Sequence, residues 1–350
     1  MNSTILQNIG IFRDYYDNTL KNVFKKLDND EIIEMTLVQN KAKSDVFCVP
    51  THHFCSLGCK MCHLTNDKLE KRMIPIDYPS FFEALIKTSY KGNYYPANYL
   101  LDSEKRRTSK PNCLISFMGV GEPSLNLKLI RDVFEHEADI KQATGYKQIG
   151  YAMATIFPYD DISGLCSLID IGMPLKLHFS LHSPLSDERA SLLPGTSVTV
   201  DKALSLLCEY RSQMEKKPEV MHRFSELHQV MDPVEIHYTL IEGINDSEVH
   251  LSELIRLLKE YPIQLKFILF NPIADMRRSP NLDMWLSKIK ETVPQINVVA
   301  YEPPGREIGS SCGEFTRHYY HYKIESDEEY EEFKQWERKH AFDEHWKSEQ

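Results

Sequence analysis

The sequence predicts an α/β protein: a partial (β/α) barrel with a short N-terminal helical extension and an acidic C-terminal tail. Three observations carry this expectation. Short apolar runs rich in β-branched residues alternate with longer amphipathic stretches, the pattern of parallel strands covered by helices. A cysteine-rich loop follows the first of those runs. Polar residues stand where several later runs end, as they do around the mouth of a barrel.

Taken in order, residues 1–30 read as one amphipathic helix from Ile5 to Leu27, with Ile9, Ile11, Phe12, Tyr16, Leu20 and Phe24 as its apolar residues. Glu31–Val38 and Asp45–Val49 read as strands, the second closed by Pro50, and Thr51–His63 is the cysteine loop. Further strands are expected at Cys113–Met118, Gln148–Thr155, Leu175–Leu181, Val234–Thr239 and Gln264–Phe270. Helices fill the gaps at Pro79–Tyr90, Leu127–Glu137, Ile162–Leu168, Val200–Lys216, Ser247–Glu260 and Asp283–Thr292. The chain therefore divides into a helical extension (1–30), a core (31–316) and a tail (317–350). Trp336, Phe342 and Trp346 punctuate the acidic tail, which reads as a solvated terminal helix.

Composition narrows the function classes. Over 350 residues, 42% are hydrophobic and 26% charged, which excludes a disordered chain or a fibre. No run of about 18 apolar residues exists to span a membrane. The N-terminus has neither the basic start nor the apolar run of a secretory signal, so the expected location is the cytoplasm. A net charge of −10 disfavours non-specific nucleic-acid binding, which depends on neutralising phosphates. Two local basic patches, Lys105-Arg106-Arg107 with Lys110 and Arg277-Arg278, read equally as phosphate contacts or as solvated loops.

Four of the eight cysteines fall between positions 48 and 62. Cys55, Cys59 and Cys62 form a C-x3-C-x2-C motif. Three thiolates on one loop suit three irons of a [4Fe–4S] cluster, leaving the fourth iron open, because ordinary electron-transfer clusters take four cysteines. Zinc is the alternative, with His52, His53 or His63 completing a four-ligand set.

Other residues stand in a telling order. Gly119-Val120-Gly121-Glu122-Pro123 separates a strand from a helix; the glycines suit close backbone approach to a ligand, and Glu122 suits an ammonium group. Thr155 ends one strand, Ser180-Leu181-His182 the next, and Asn271-Pro272 a later one. Gly243 to Ser247 reads as a turn and N-cap. Cys113, Cys166 and Cys208 sit in apolar segments, as buried thiols do. Cys312, between small polar neighbours, does not fit that pattern.

In this order the motifs closely resemble the RlmN/Cfr family of radical S-adenosylmethionine (SAM) RNA adenine methyltransferases, over roughly residues 31–316. The cluster motif matches Cys55, Cys59 and Cys62; the G-E-P-L-L-N segment matches Gly121 to Asn126; S-L-H matches Ser180, Leu181 and His182; G-V-N-D-S matches Gly243 to Ser247; and the late Asn-Pro matches Asn271-Pro272. The methyl-carrying cysteine of the family's A-C-G loop matches Cys312, its second catalytic cysteine Cys48, and its upstream glutamate Glu34. Where the family often reads S-T-x-G, this chain has Ala154-Thr155-Ile156-Phe157, so one SAM-contacting hydroxyl is lost. The acidic tail is not a family feature.

The resemblance implies a [4Fe–4S] cluster and SAM as cofactors, an external electron donor and an rRNA or tRNA substrate. Cys312 would carry a methyl group that is added as a carbon radical to an adenine ring carbon, C2 with C8 as the alternative. Glu34 or Cys48 would take the proton. Cys48 would then attack the Cys312 sulfur, release the methylated base and leave a transient disulfide. Gly121, Glu122, Thr155, Ser180, Leu181, His182 and Asn271 would contact SAM. The alternative is the same mechanism on a non-ribosomal substrate, motivated by the acidic charge.

Overall fold

The computed structural model describes residues 4–14, 18–29, 31–39, 44–65, 72–92, 111–273, 275–305, 313 and 315–316. Cys312, the Lys105–Lys110 patch and the acidic tail lie outside the described residues.

Ten strands form one sheet in sequence order: β1 (Leu6–Asp14), β2 (Thr19–Lys26), β3 (Ile32–Val38), β4 (Ser44–Cys48), β5 (Asn112–Phe117), β6 (Gln148–Thr155), β7 (Leu175–Ser180), β8 (Val234–Tyr238), β9 (Leu265–Ile268) and β10 (Val298–Tyr301). β1 to β4 pair antiparallel, and β4 to β10 pair parallel. Nine helices accompany them among the described residues: α1 (Tyr78–Gly92), α2 (Leu127–Glu135), α3 (Glu137–Thr144), α4 (Ser163–Asp170), α5 (Ser186–Leu192), α6 (Val200–Glu215), α7 (Pro218–His228), α8 (Glu248–Glu260) and α9 (Leu282–Thr292). Parallel neighbours joined in sequence order by crossovers of one hand put the helices on one face. The other face curls inward as in a barrel, and β1 and β10 remain its two edges.

The N-terminal helix predicted over residues 5–27 is instead the β1–β2 hairpin. Phe12, Tyr16, Leu20 and Phe24 recur every fourth residue, a spacing that periods of 3.6 and 2 both accommodate. Tertiary packing decides between them. Leu20 and Phe24 join the main core with Ile33 and Met35, whereas Phe12 and Val23 pack into a second cluster with Ile32, Phe54, Leu64, Val120 and Phe315. Both faces of the hairpin are thus covered, which a single helical stripe would not achieve. Asn18 turns the chain with φ 56°, and a register shift near Gly10 marks a bulge. The expected strand Gln148–Thr155 matches β6. β10, α5 and α7 were not anticipated.

The two faces differ in chemistry. Towards the helices point Phe117, which stacks on Phe81 of α1 (6.1 Å), Tyr151, which meets Phe134 of α2 (5.7 Å), and Tyr238 and Phe267, which flank Trp285 of α9 (5.8 and 6.2 Å). Each such fully buried apolar side chain contributes about 1.5–3 kcal/mol. The register lines up a different set on the inner face. Lys21 pairs with Thr36, Thr36 with Cys48 and Cys48 with Ser116; further along, His178 pairs with Glu235 and Ser180 with His237. Glu34 lies two residues from Thr36 and therefore shares this face.

Candidate active site

The cysteine loop is held at the mouth by its neighbours' backbone. Val49 N donates to Ser116 O (2.9 Å), Gly119 N to Val49 O (3.0 Å), and Thr51 N to Val120 O (2.9 Å). These bonds explain the two glycines. A Cβ on Gly119 would lie 2.6 Å from Val49 C, and one on Gly121, at φ +109°, would lie 2.4 Å from His52 Nδ1. They serve loop-to-loop packing, where the sequence suggested approach to a ligand. Asn126 completes the junction, donating to Thr51 O (2.8 Å) and Ile76 O (3.1 Å).

Past that junction, Gly58 reverses the loop at φ +74°. Cys62 N donates to Cys59 O, and Lys60 N reaches Leu192 O of α5, both at 2.9 Å. Leu57, Cys59 and Met61 pack on Ile156, Leu192 and Leu193, while Cys55 and Cys62 pack on the inner cluster around Phe54 and Leu64. Burial pushes the Cys55 thiol up to about 12, and it pushes Cys59 up as well; each is raised further by the neighbouring thiols of the loop. Three gathered thiols that resist ionising alone are a donor set that iron would satisfy. Among the described residues, only His178, Glu235 and His237 bring three ligand atoms within 4.8 Å of one another. The three loop sulfurs therefore do not all lie within that distance of one another, so the loop is not closed around a single ion. Two of the three histidines of the zinc alternative are engaged elsewhere: His52 Nδ1 bonds Thr51 Oγ1 (2.9 Å) and His53 Nδ1 bonds Ile32 O (3.0 Å). The residues present fit a [4Fe–4S] cluster.

Around this loop stand the residues expected to meet SAM. Glu122 is buried, and its carboxylate accepts from Ser124 N (3.1 Å), Ser124 Oγ (2.7 Å) and Ile156 N (3.1 Å). Burial raises its pKa, and bonds from Thr155, Ser124 and Ile156 oppose that rise. Thr155 Oγ1 accepts from Phe157 N (2.9 Å). Ser180 and Leu181 end β7, with Leu181 N bound to His237 O (3.0 Å). His182 adopts φ 55°, its Nδ1 accepts from Thr239 N (3.0 Å), and burial holds it down to about 3. Asn271 follows β9 at the same end of the sheet.

Deeper on the inner face, Glu34 and Lys21 form an ion pair at 2.8 Å, with side chains 4% and 1% exposed. The second carboxylate oxygen of Glu34 accepts the N–H of Gly313, the residue after Cys312. A Cβ at Gly313 would strike Leu64 of the cysteine loop. The segment around Gly313 and Phe315 thus returns across the whole chain to Glu34 and the inner cluster. Cys48 is half-buried on this face, and none of the described cysteines is disulfide-bonded.

Three residues were missed from sequence. Lys21 looked like one charge in a surface helix. Arg189, which the sequence reading did not single out, is 1% exposed. Its guanidinium donates to Ile156 O (2.8 Å), Ser180 O (3.1 Å), Leu181 O (3.0 Å) and Val198 O (3.3 Å), tying the ends of β6 and β7 beneath the cysteine loop. Asn245, read only as part of a turn, donates to His182 O (2.6 Å) and Thr239 O (2.7 Å) and accepts from Ile241 N (2.7 Å). No sequence signal marked the first two; the Gly-Ile-Asn-Asp-Ser motif marked the third. A cleft of about 550 Å³ opens beside the loop, lined by Lys60, Ser191, Ser247 and His250 among others.

No family model matches the chain. It is 24% identical over 306 residues to a probable dual-specificity RNA methyltransferase RlmN of Clostridioides difficile, covering 87% of this chain and 77% of the relative. A probable RlmN of Chlorobium luteolum is 25% identical, covering 83% and 72%. The crystal structure of a radical SAM methyltransferase from Sphaerobacter thermophilus shares the fold, with a TM-score of 0.66 at 20% identity over 89% of this chain and 81% of that one. With the motifs in family order, relatives matched along most of both lengths and a shared fold, the chain is a distant homologue of the RlmN methyltransferases and has the fold of a radical SAM methyltransferase.

Proposed function

We propose that the protein methylates a ring carbon of adenine, C2, in RNA, with ribosomal RNA as first substrate and transfer RNA as second, in the cytoplasm and with an external electron donor. The observation that carries this reading is the shared inner face of Glu34 and Cys48, with Gly313 bonded to Glu34. Radical SAM enzymes in general need only the cluster loop. A buried glutamate bonded to Gly313, the neighbour of Cys312 in sequence, and a second cysteine on the same face are the additional equipment of a thioether-linked methyl transfer.

Cys55, Cys59 and Cys62 would hold the cluster, and Gly121, Glu122, Thr155, Ser180, Leu181, His182 and Asn271 would line the SAM site. Bound there, these groups supply the methyl group and the radical that activates it. The chain's own residues do the rest. Cys312 carries the methyl as a thioether and, after carbon–carbon bond formation, is linked through it to the base. Glu34 accepts the proton lost from the ring carbon; Lys21 keeps its carboxylate aligned. The Cys48 thiolate attacks the Cys312 sulfur, the sulfur–carbon bond breaks, the electron pair goes to the base's methyl carbon as it takes a proton, and a Cys48–Cys312 disulfide remains. The external thiol pool reduces that disulfide before the next turnover. Lys60 lies in the cleft beside the loop, suited to a phosphate of the incoming strand.

A Cys48→Ala variant tests this. It should copurify with RNA covalently bound at Cys312, detected by peptide mass spectrometry, and nuclease digestion of the adduct names the nucleotide. A variant that cleaves SAM but carries no adduct, under conditions where the wild type turns over, refutes the resolving role. The net charge of −10 favours one second reading, the same chemistry on a non-ribosomal substrate. An adduct that is not ribosomal or transfer RNA would establish it.

A further inference from the structure

Below the mouth, on the inner face of β7 and β8, three donor atoms converge. His178 Nδ1 lies 2.7 Å from His237 Nε2, and each lies 3.0 Å from Glu235 Oε1. All three residues are buried, at 4%, 8% and 4% exposure for His178, His237 and Glu235. They sit on paired strands, His178 opposite Glu235 and His237 two residues further along β8 on the same face. Nothing in the radical SAM reading uses them.

Protons alone do not satisfy this triangle. With a proton on each facing nitrogen, both imidazoles donate to Glu235, but two N–H groups then meet head to head at 2.7 Å. With a proton on only one nitrogen, the lone pair of the other faces the carboxylate oxygen at 3.0 Å. With none, three lone pairs converge. With Glu235 held ionised by Lys176 and Lys266, every protonation state of the two imidazoles leaves at least one edge repulsive inside a buried site, where such contacts are costly. A cation at the centre removes all three conflicts. Metal–nitrogen bonds of about 2.1 Å at right angles place neighbouring donors about 3.0 Å apart. Two imidazoles and one carboxylate on one face is a recurrent ligand set for first-row divalent ions. Burial also holds both imidazoles below their usual range, in the neutral form a metal takes.

We propose that His178, Glu235 and His237 form a second metal site, separate from the cysteine loop, that takes a first-row divalent ion such as Fe2+ or Zn2+ and pins β7 to β8 beneath His182. Two lysines set its affinity. Lys176 Nζ bonds Glu235 Oε2 (2.9 Å) and is 10% exposed, so it stays as the outer bond that orients the carboxylate. Lys266 bonds Oε1, the ligand atom itself, and is 24% exposed. It must swing towards solvent when the ion enters, so it competes with the metal.

The test is a Co2+ titration of anaerobic protein whose cluster has been reconstituted, read by visible d–d absorption and by cobalt retained after desalting. One equivalent with imidazole-type bands and no thiolate charge-transfer band is expected. It should be lost in His237→Ala with iron and sulfide content unchanged. Lys266→Met should bind cobalt at least tenfold more tightly. The proposal is overturned if wild type and His237→Ala take up the same cobalt, or if neither takes any. Should His237→Ala fail to fold, Lys266→Met decides: unchanged affinity overturns the site.

Discussion

The two faces of the sheet obey different rules. Towards the helices, Phe117, Tyr151, Tyr238 and Phe267 interlock with aromatic side chains of α1, α2 and α9. Towards the interior, the same sheet presents Lys21, Glu34, Cys48, Ser116, His178, Glu235 and His237. Hydrophobic burial is non-directional and tolerates imprecision; buried charge does not, because each group needs a partner at hydrogen-bond distance. The outer face therefore accounts for stability, and the inner face accounts for chemistry at a cost in stability.

This division can be broken or sharpened by substitution. The largest effect is expected at Lys21→Met, which leaves Glu34 buried without its partner. Breaking such a pair costs about 3–5 kcal/mol. Chemical denaturation of Lys21→Met and of Lys21→Met/Glu34→Gln measures it, and the double variant should recover part of the loss. If the single variant is as stable as wild type, the inner face is not under the strict pairing rule. On the outer face, Trp285→Ala should cost a comparable or slightly smaller amount, about 3–5 kcal/mol by cavity formation. SAM cleavage per folded molecule should stay at the wild-type level, and a loss there would show that the faces are coupled.

A smaller, pH-dependent effect belongs to His228, which closes α7. Burial holds it down to about 4, from the usual 6.5. Below pH 6.5 the unfolded chain binds this proton first, so the contribution is complete above pH 6.5 and is lost as pH falls towards 4. Between pH 7 and 5 the wild type should lose about 2 kcal/mol from this group, and His228→Gln should lose less by that amount. Urea unfolding at the two pH values provides the comparison. The smallest effect is expected at Tyr238→Phe. Its hydroxyl donates to Asn245 O at 2.7 Å, and removing it should cost about 1 kcal/mol in the same assay.

Much of the outer face was legible in the sequence, because apolar runs flanked by turn residues announce parallel strands. β6 emerged with its predicted bounds. The cysteine loop was legible too, since its spacing is its chemistry. The hairpin was misread because a four-residue spacing suits both helix and strand, and only packing on both faces separates them. β10 is four residues long, too short to show a period. Lys21 and Arg189 were invisible for a different reason. A charged residue in sequence suggests solvent, and its burial depends on acceptors that lie far away along the chain, such as Glu34 for one and four backbone carbonyls for the other. His178, Glu235 and His237 were hidden likewise, spread over 59 positions until the register placed them side by side.

The bond from Gly313 to Glu34 spans 279 positions, whereas each strand pairs with the next in sequence. Neighbour-to-neighbour pairing is low in contact order and can proceed as the chain leaves the ribosome, N-terminus first. The return of Gly313 cannot. A nascent chain thus has all ten strands in hand before Gly313 can reach Glu34. A product truncated before residue 312 would still hold its ten strands but would lack both Cys312 and the bond to Glu34, so the thiol proposed to carry the methyl group is the last part of the proposed site to be made.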